Sequence, residues 1–500
     1  MADWVAATAA AERVAAAWAS DPGGAIALFD RSGVRAIACG GLASLEHGLP
    51  FTPDTPTRYA SISKHVLAAM LLKTGMDFAA ALATSLPDLP EALGAVPLSR
   101  ALDMTGGLPD MMETMWQTGV PFTATVSAEE IALALRRQDR LCSPPGTEMA
   151  YSNTGWRLGQ AVLEARIGLS YAAALQRDLF GPLGLPIAFP YDEAEPVTDL
   201  ATGYWRDAGT WRRGRYGLHV SASGGLTGSA AALAGWASAL MAGRAPLEGV
   251  LDRLLAPRHF VDGTASAYRL GLVETTLGAT RIAAHSGSLP GYRNHMLMAP
   301  DRGVGVVVLM NRDADPLLPA LYIIAALLGE AAPKPALDLP AGLYAEAAGP
   351  AWAEMAGNAM AFMGAGETMI AAPDGHHRSI PSTLEIDVHV SAEAVQGRIG
   401  GVQRNLLRVP DGLALDPTLA GLWQEPASGA ALLIRPDGSA RWPGMGGIGQ
   451  EVELTPLPGQ RALATLKHAM WQHRPCLVLQ PDGTLLVASH RARVLRFVRV

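Results

Sequence analysis

The sequence predicts an α+β fold followed by two small all-β units. Residues 1–332 should form an antiparallel sheet flanked by helices, and residues 333–415 and 416–500 one antiparallel β-barrel each. Three observations carry this reading. Strand-like runs stand at both ends of the first 330 residues, with helix-patterned segments between them. Composition changes at Ala331-Ala332-Pro333-Lys334-Pro335, beyond which short β-like segments alternate with Gly, Pro and Asp turns. The start Leu339-Pro340-Ala341-Gly342-Leu343-Tyr344 is echoed by Thr418-Leu419-Ala420-Gly421-Leu422-Trp423, 79 residues on (421 − 342), a length that suits a small barrel.

In chain order, the Ala-rich stretch Met1–Ser20 reads as a core-packing helix, and its lack of a basic n-region argues against a signal peptide. Gly24–Asp30 and Val34–Cys39 form a hairpin through Arg31-Ser32-Gly33. The run His65–Thr74 is helix-prone, and a second helical region extends to about Leu82. Ser127–Arg137 is a helix with Ser127 as N-cap and Glu130 completing a capping box. Gly155–Ile167, Ser229–Met241 and Leu317–Leu328 are further helices, and residues 180–220 read as covering loops. Strands are expected at Leu270–Glu274, Thr280–His285, His295–Met298 and Val304–Asn311, the last closing the sheet onto the first hairpin.

Composition narrows the class. Half of the residues are apolar, 17% are charged, and the net charge of −7 carries no long runs, which argues against a nucleic-acid partner. No apolar run reaches the length of a membrane span. Cys39, Cys142 and Cys476 lie far apart, outside any CxxC spacing, and their reduced state would suit a cytoplasmic location. No metal-site spacing appears; Asp374 with His376-His377 reads as a surface turn, and neither metal nor cofactor is expected.

The stretch Tyr59-Ala60-Ser61-Ile62-Ser63-Lys64-His65 organises the chemistry. A strand-like approach leads into a helix, so Ser61 sits near a helix start and Lys64 one turn on, on the same face. A serine hydroxyl needs a base within hydrogen-bond reach. A lysine can serve when its surroundings favour the neutral amine, whereas arginine cannot. The chain holds only four lysines, Lys64, Lys73, Lys334 and Lys467, and of these Lys64 alone follows a serine by three residues. An ordinary N-cap serine followed by a solvated lysine is the competing reading.

Two downstream sites add to it. Tyr151-Ser152-Asn153 offers a phenol as proton shuttle and an amide able to hold Lys64 and a substrate carbonyl. His285-Ser286-Gly287-Ser288 ends a strand, with Gly287 permitting close approach of a substrate backbone. The N–H groups of Ser61 and Ser288 could form an oxyanion hole.

In this order and spacing, Ser-x-x-Lys, Tyr-x-Asn ninety residues on (151 − 61) and His-x-Gly at 285 resemble the penicillin-recognising serine hydrolases. The branch is the one that contains class C β-lactamases, DD-peptidases, esterases and D-aminopeptidases. Thr105-Gly106-Gly107-Leu108-Pro109, Pro145-Gly146-Thr147 and Ser223-Gly224-Gly225-Leu226 support the match over roughly residues 10–330. The resemblance implies a β-lactamase/transpeptidase-like catalytic domain. Two following barrels make it similar to the bacterial D-stereospecific aminopeptidases, in which a loop of the last barrel enters the site. Lys467–Pro475, with His468, Trp471 and His473, is the candidate loop, a plain hairpin being the other reading. The His-Ser-Gly sequence lacks the lysine of Lys-Thr-Gly relatives, which argues against carboxypeptidase or β-lactamase action.

By this resemblance the catalytic residues are Ser61, Lys64 and Tyr151, and the substrate-binding residues Asn153, His285, Gly287 and Ser288. The implied substrate is a short peptide, amide or ester with an N-terminal D-residue, and a homodimer is the expected assembly. Two alternatives use the same scaffold: an esterase or amidase without D-aminopeptidase specificity, and a non-catalytic sensor of peptides or peptidoglycan fragments.

Overall fold

The structure is a computed structural model that describes residues 2–337, 339–381 and 383–500. Met1, at the head of the Ala-rich stretch, lies outside the described residues. The chain divides into two compact units. The first comprises residues up to Ala80, Trp156–Arg258 and Ala267–Pro333; the second comprises Ala81–Gly155, His259–Ser266 and Lys334–Val500.

The first unit is built on a six-stranded antiparallel sheet. Its strands are β1 (Gly24–Asp30), β2 (Gly33–Gly40), β3 (Val273–Leu277), β4 (Thr280–Leu289), β5 (Tyr292–Ala299) and β6 (Val304–Met310), in the order β3-β4-β5-β6-β1-β2. The closure between the two ends of this region is the pairing of β1 with β6, from Gly24↔Met310 to Asp30↔Val304. All seven residues of β6 and six of seven in β1 are buried, as strands covered on both faces must be. That explains their unbroken apolar sequences, whereas the edge strand β2 is mostly part-exposed. Helices α1 (Trp4–Ala16), α2 (Lys64–Lys73), α3 (Ala230–Ala242) and α4 (Leu317–Leu328) supply the covering layers. Helix α1 packs on α4 and β2, and α3 packs on β1, β2 and β6. The predicted strand at Thr280–His285 runs on to Leu289, so His285 lies within β4 and not at its end. The region 180–220 holds a small hairpin, Tyr204–Asp207 with Thr210–Arg213, besides its loops.

The second unit contains two closed eight-stranded antiparallel barrels, spanning Gly342–Arg408 and Gly421–Arg499. The short sequence echo is a repeated structural device. Tyr344 and Trp423 are both fully buried in the opening strand of their barrel. Tyr344 Oη donates to Pro340 O (3.1 Å), and Trp423 Nε1 donates to Leu419 O (2.9 Å). In each barrel an arginine from the last strand lies over that ring, Arg408 at 5.5 Å and Arg499 at 4.3 Å from the centroid. The same arginines donate to Ala341 O and Ala420 O. Gly342 (φ +149°) and Gly421 (φ +148°) adopt a backbone that disfavours side chains, and a Cβ on either would meet the arginine at 2.4 Å. The segment Ala81–Gly155 in this unit includes the helix Ala128–Arg136, whose Ser127–Glu130 capping box is present as predicted.

Candidate active site

In the first unit the turn that carries Ser61 is assembled from both sides. Thr57-Arg58 pairs with Thr227-Gly228, Tyr59 N donates to Leu226 O (2.8 Å), and Leu226 N donates to Ser63 Oγ (3.1 Å). Ala60 then adopts a left-handed backbone (φ +53°), a conformation costing an alanine roughly 1–2 kcal/mol. That kink turns the extended approach into the 3-10 turn Ala60–Ser63, from which α2 continues. Residues 59, 60, 62, 63 and 64 are buried, and Ser61 alone in this stretch is part-exposed.

Lys64 is fully buried, and its Nζ donates to Ser61 Oγ (2.9 Å) and to Ser223 O (2.7 Å). The Ser223-Gly224-Gly225-Leu226 stretch therefore fixes the amine against the hydroxyl, and Ser221 Oγ lies 2.9 Å from Ser223 Oγ. Lys64 is no solvated surface residue.

Strand β4 runs against the same turn. A Cβ on Gly287 would stand 2.2 Å from Tyr59 O and 3.3 Å from Ala60 Cβ, so only glycine lets the strand lie this close. Ser288 is part-exposed on the alternate face of the strand. His285 is buried, with Nδ1 2.6 Å from Ser286 O and Nε2 3.0 Å from Tyr268 Oη. A carbonyl only accepts, so Nδ1 carries the proton and Nε2 accepts from the phenol. Burial, reinforced by the charge of Lys64, holds the His285 pKa well below its ordinary value. His285 is thus a neutral imidazole with both nitrogens engaged. Tyr268 is not among the residues singled out from the sequence, where nothing in spacing marks it.

Tyr151 and Asn153 belong to the second unit, where both are buried. Asn153 opens the helix Asn153–Ile167. Asp110 Oδ2 accepts from Asn153 N (2.7 Å) and Asn153 Nδ2 (3.0 Å), while Oδ1 accepts from Met112 N and Glu113 N and so caps the helix Met111–Gln117. One carboxylate serves two helix starts. Burial raises the Asp110 carboxyl pKa, and the nearby Arg491 charge opposes that rise. Thr154 Oγ1 donates to Pro109 O (2.7 Å) and accepts from Met111 N (2.9 Å), joining the Thr105–Asp110 stretch to the Tyr-x-Asn motif. Further along, Gly146 N donates to Thr105 O and Ala150 N to Met104 O.

Both barrels reach this motif within the unit. Glu148, buried three residues before Tyr151, is held by Arg404 of the first barrel (3.0 Å) and Arg493 of the second (2.5 Å). The segment Ser489–Arg493 lies against the motif itself. Asp110 N donates to Arg491 O (2.8 Å), Tyr151 N donates to His490 Nε2 (3.4 Å), and Arg491 Cζ stands 4.7 Å from the Tyr151 ring centroid. Glu113 receives Ser489 Oγ and Arg491 N and pairs with Arg491 Nε (3.6 Å). The loop singled out from the sequence forms the hairpin Leu466–His468 with Trp471–His473. His473 stacks on Trp116 (4.9 Å), and Trp471 packs on Phe122 (4.3 Å). Asp110 and Arg491, like Tyr268, escape the sequence reading, because their partners lie tens to hundreds of residues away.

The beta-lactamase family profile matches residues 10–329. The chain belongs to the beta-lactamase family. That family fits the resemblance to penicillin-recognising serine hydrolases, and the chain is similar to curated D-aminopeptidases. A D-aminopeptidase of Cereibacter sphaeroides is 29% identical over 315 residues, covering 63% of this chain and 61% of that protein. The chain therefore matches about three-fifths of the length of that curated relative. Among solved structures, D-amino acid amidase from Ochrobactrum anthropi SV3 has a TM-score of 0.55 at 21% identity, covering 65% of this chain and 98% of the amidase. The octameric penicillin-binding protein homologue from Pyrococcus abyssi also has a TM-score of 0.55, at 18% identity, covering 95% of each chain. These structures share the fold.

Among the described residues, no helix is long and apolar enough to cross a membrane.

Proposed function

We propose that this chain is a serine hydrolase that releases N-terminal D-amino acids from short peptides, amides or esters. The observation that carries the reading is the buried Lys64 amine at 2.9 Å from the part-exposed Ser61 hydroxyl. The similarity to D-aminopeptidases supports the choice of substrate.

In this reading Ser61 Oγ attacks the scissile carbonyl, forming the C–O bond of a tetrahedral intermediate. Tyr151, in its phenolate form and assisted by Lys64, accepts the hydroxyl proton. Collapse breaks the C–N bond, and Tyr151 returns that proton to the departing amine. Water then adds to the acyl-enzyme, loses its proton along the same route, and releases the D-amino acid and Ser61. Main-chain N–H groups of Ser61 and Ser288 hold the oxyanion, while Asn153 and Gly287 align the acyl group. The neutral, doubly engaged His285 shapes β4 and exchanges no proton in this scheme. Residues 1–332 would form the catalytic domain, with barrel domains at 333–415 and 416–500.

A panel of D- and L-aminoacyl-p-nitroanilides tests the proposal. It requires a kcat/KM at least a hundredfold higher for the D-series, with a burst of p-nitrophenol on activated D-amino esters. Equal turnover of both series would make the chain an unselective esterase or amidase, and no turnover with no labelling by a fluorophosphonate would leave a non-catalytic binder.

A further inference from the structure

We infer that Arg491, carried by the second barrel, is a positioning residue for Tyr151 whose fixed charge over the ring favours the phenolate. The inference deepens the proposed function and rests on Tyr151 acting as the base there.

The guanidinium stands 4.7 Å from the ring centroid, within the range at which a cation interacts with an aromatic face. Arginine keeps its charge at any working pH, so this is a permanent field and not a titrating one. Deprotonation puts negative charge into the ring and its oxygen, so a nearby cation stabilises the phenolate more than the phenol. Both groups are also largely withdrawn from water: Tyr151 is buried and Arg491 only part-exposed, which strengthens their interaction.

The backbone of residue 491 is held in place, and its side chain is anchored through the Nε–Glu113 pair. Asp110 N holds Arg491 O, Arg491 N is held by Glu113, and Tyr151 N donates to the imidazole of the preceding His490. Residue 491 is thereby tied at both its N and its O to the Asp110–Glu113 segment, and its neighbour His490 to Tyr151.

Other titratable groups of this unit lie near Arg491 and the Tyr-x-Asn motif. His490 is held neutral, its pKa driven well down by burial and then by Arg493 and Arg491. His473 is likewise neutral, lowered to about 3 by burial. Asp110 and Glu113 have carboxyl groups raised by burial, with Arg491 opposing the rise in both. Glu148 is matched by Arg404 and Arg493. Arg491 is itself paired through Nε with Glu113 (3.6 Å), while its guanidinium carbon stands over the Tyr151 ring. The second barrel would then contribute to the general base, beyond any effect on which substrates can enter.

The test uses the full-length chain with Arg491→Met, Arg491→Lys and Tyr151→Phe variants. Two readouts are taken: the pH profile of kcat/KM on a D-aminoacyl-p-nitroanilide, and the NMR titration of 13Cζ-labelled Tyr151, which needs no turnover. Arg491→Met is expected to move the Tyr151 titration and the acid limb of kcat/KM upward by about one pH unit. On the acid side of that limb this is an approximately tenfold loss, residing in kcat, with KM within about threefold. Arg491→Lys, which keeps a cation, should recover most of it. An unshifted Tyr151 titration in an Arg491→Met protein with native circular dichroism overturns the inference, whatever the activity. A loss that lies entirely in KM overturns it as well. Activity of Tyr151→Phe within tenfold of wild type would instead overturn the assignment of the base, and this inference with it.

Discussion

Asp110 grips Asn153 by both of its nitrogens, the backbone N at 2.7 Å and the side-chain Nδ2 at 3.0 Å. The two bonds fix which way the amide points before any substrate arrives. Replacing Asp110 by Ala leaves Met112 N and Glu113 N uncapped and takes from Asn153 the acceptor that both of its nitrogens use. A loss of about 2–4 kcal/mol is expected from cap and unsatisfied-donor costs together, read as a shift of the urea midpoint. Asp110→Asn should recover part of the stability, since an amide oxygen can still accept. A midpoint unchanged in the alanine variant would remove Asp110 from the framework of the site.

Ser61→Ala should abolish turnover while leaving the melting temperature near that of the parent. Lys64→Arg should be nearly as damaging, because the charge is kept and deprotonation is lost. Losses of a thousandfold or more in kcat/KM are expected, about 4 kcal/mol of barrier. Activity within tenfold of the parent in either variant would refute the assignment of that residue.

Gly287→Ala places a methyl group 2.2 Å from Tyr59 O, where backbone rather than a flexible side chain must yield. The expected cost is about 1–3 kcal/mol of stability, with a larger effect on turnover because the displaced element is the nucleophile turn. Thermal unfolding and kcat/KM measured together check this. An active variant of parental stability would mean that β4 has slack the geometry does not suggest.

Tyr268→Phe removes the hydroxyl that donates to the buried His285 Nε2. Stability should fall by about 1–3 kcal/mol. The 15N resonances of His285 should report the Nδ1-protonated tautomer in the parent and a changed Nε2 environment in the variant. A parental spectrum carrying the Nε2-protonated form would reverse the tautomer argued above.

His65 and His295 are buried in the first unit, and burial lowers both from the ordinary 6.5 to about 4. As pH falls below 6.5 the unfolded chain takes up these protons while the native imidazoles stay neutral. The stability present above pH 6.5 is therefore lost progressively down to about pH 4, by about 1.4 kcal/mol per pH unit for each histidine. His65 Nε2 accepts from Trp236 Nε1 (2.7 Å), and a glutamine there can keep that bond without titrating. Denaturant melts between pH 6 and 4.5 should show His65→Gln with a slope shallower by one proton. Parallel slopes would show that His65 does not contribute.

Local signals are the legible ones. Ser61 and Lys64 meet because they are one helical turn apart, and the Ser127–Glu130 box closes over three residues, so spacing alone announces both. The β1–β2 hairpin is readable from two apolar runs joined by Arg31-Ser32-Gly33, and strand β6 from its β-branched run. The echo at Gly342 and Gly421 is visible because the turn needs glycine and the barrel needs a buried ring. Asp110, Tyr268 and Arg491 are invisible for the opposite reason. Their roles depend on Asn153, His285 and Tyr151, partners 43, 17 and 340 residues away (153 − 110, 285 − 268, 491 − 151), and no periodicity encodes such pairings. The segment 489–493 carries charge rather than an aromatic cluster, so the hairpin at 466–473 draws attention instead.

The junction of β1 with β6 has a bearing on biosynthesis. Strand β1 emerges from the ribosome early, yet its partner, ending at Met310, follows 286 residues later (310 − 24). At about 5–20 residues per second, the nascent β1–β2 hairpin waits roughly 15–60 s with one edge unpaired. Its apolar Ala25–Phe29 stretch then stays open to ribosome-associated chaperones, or to aggregation where they are lacking.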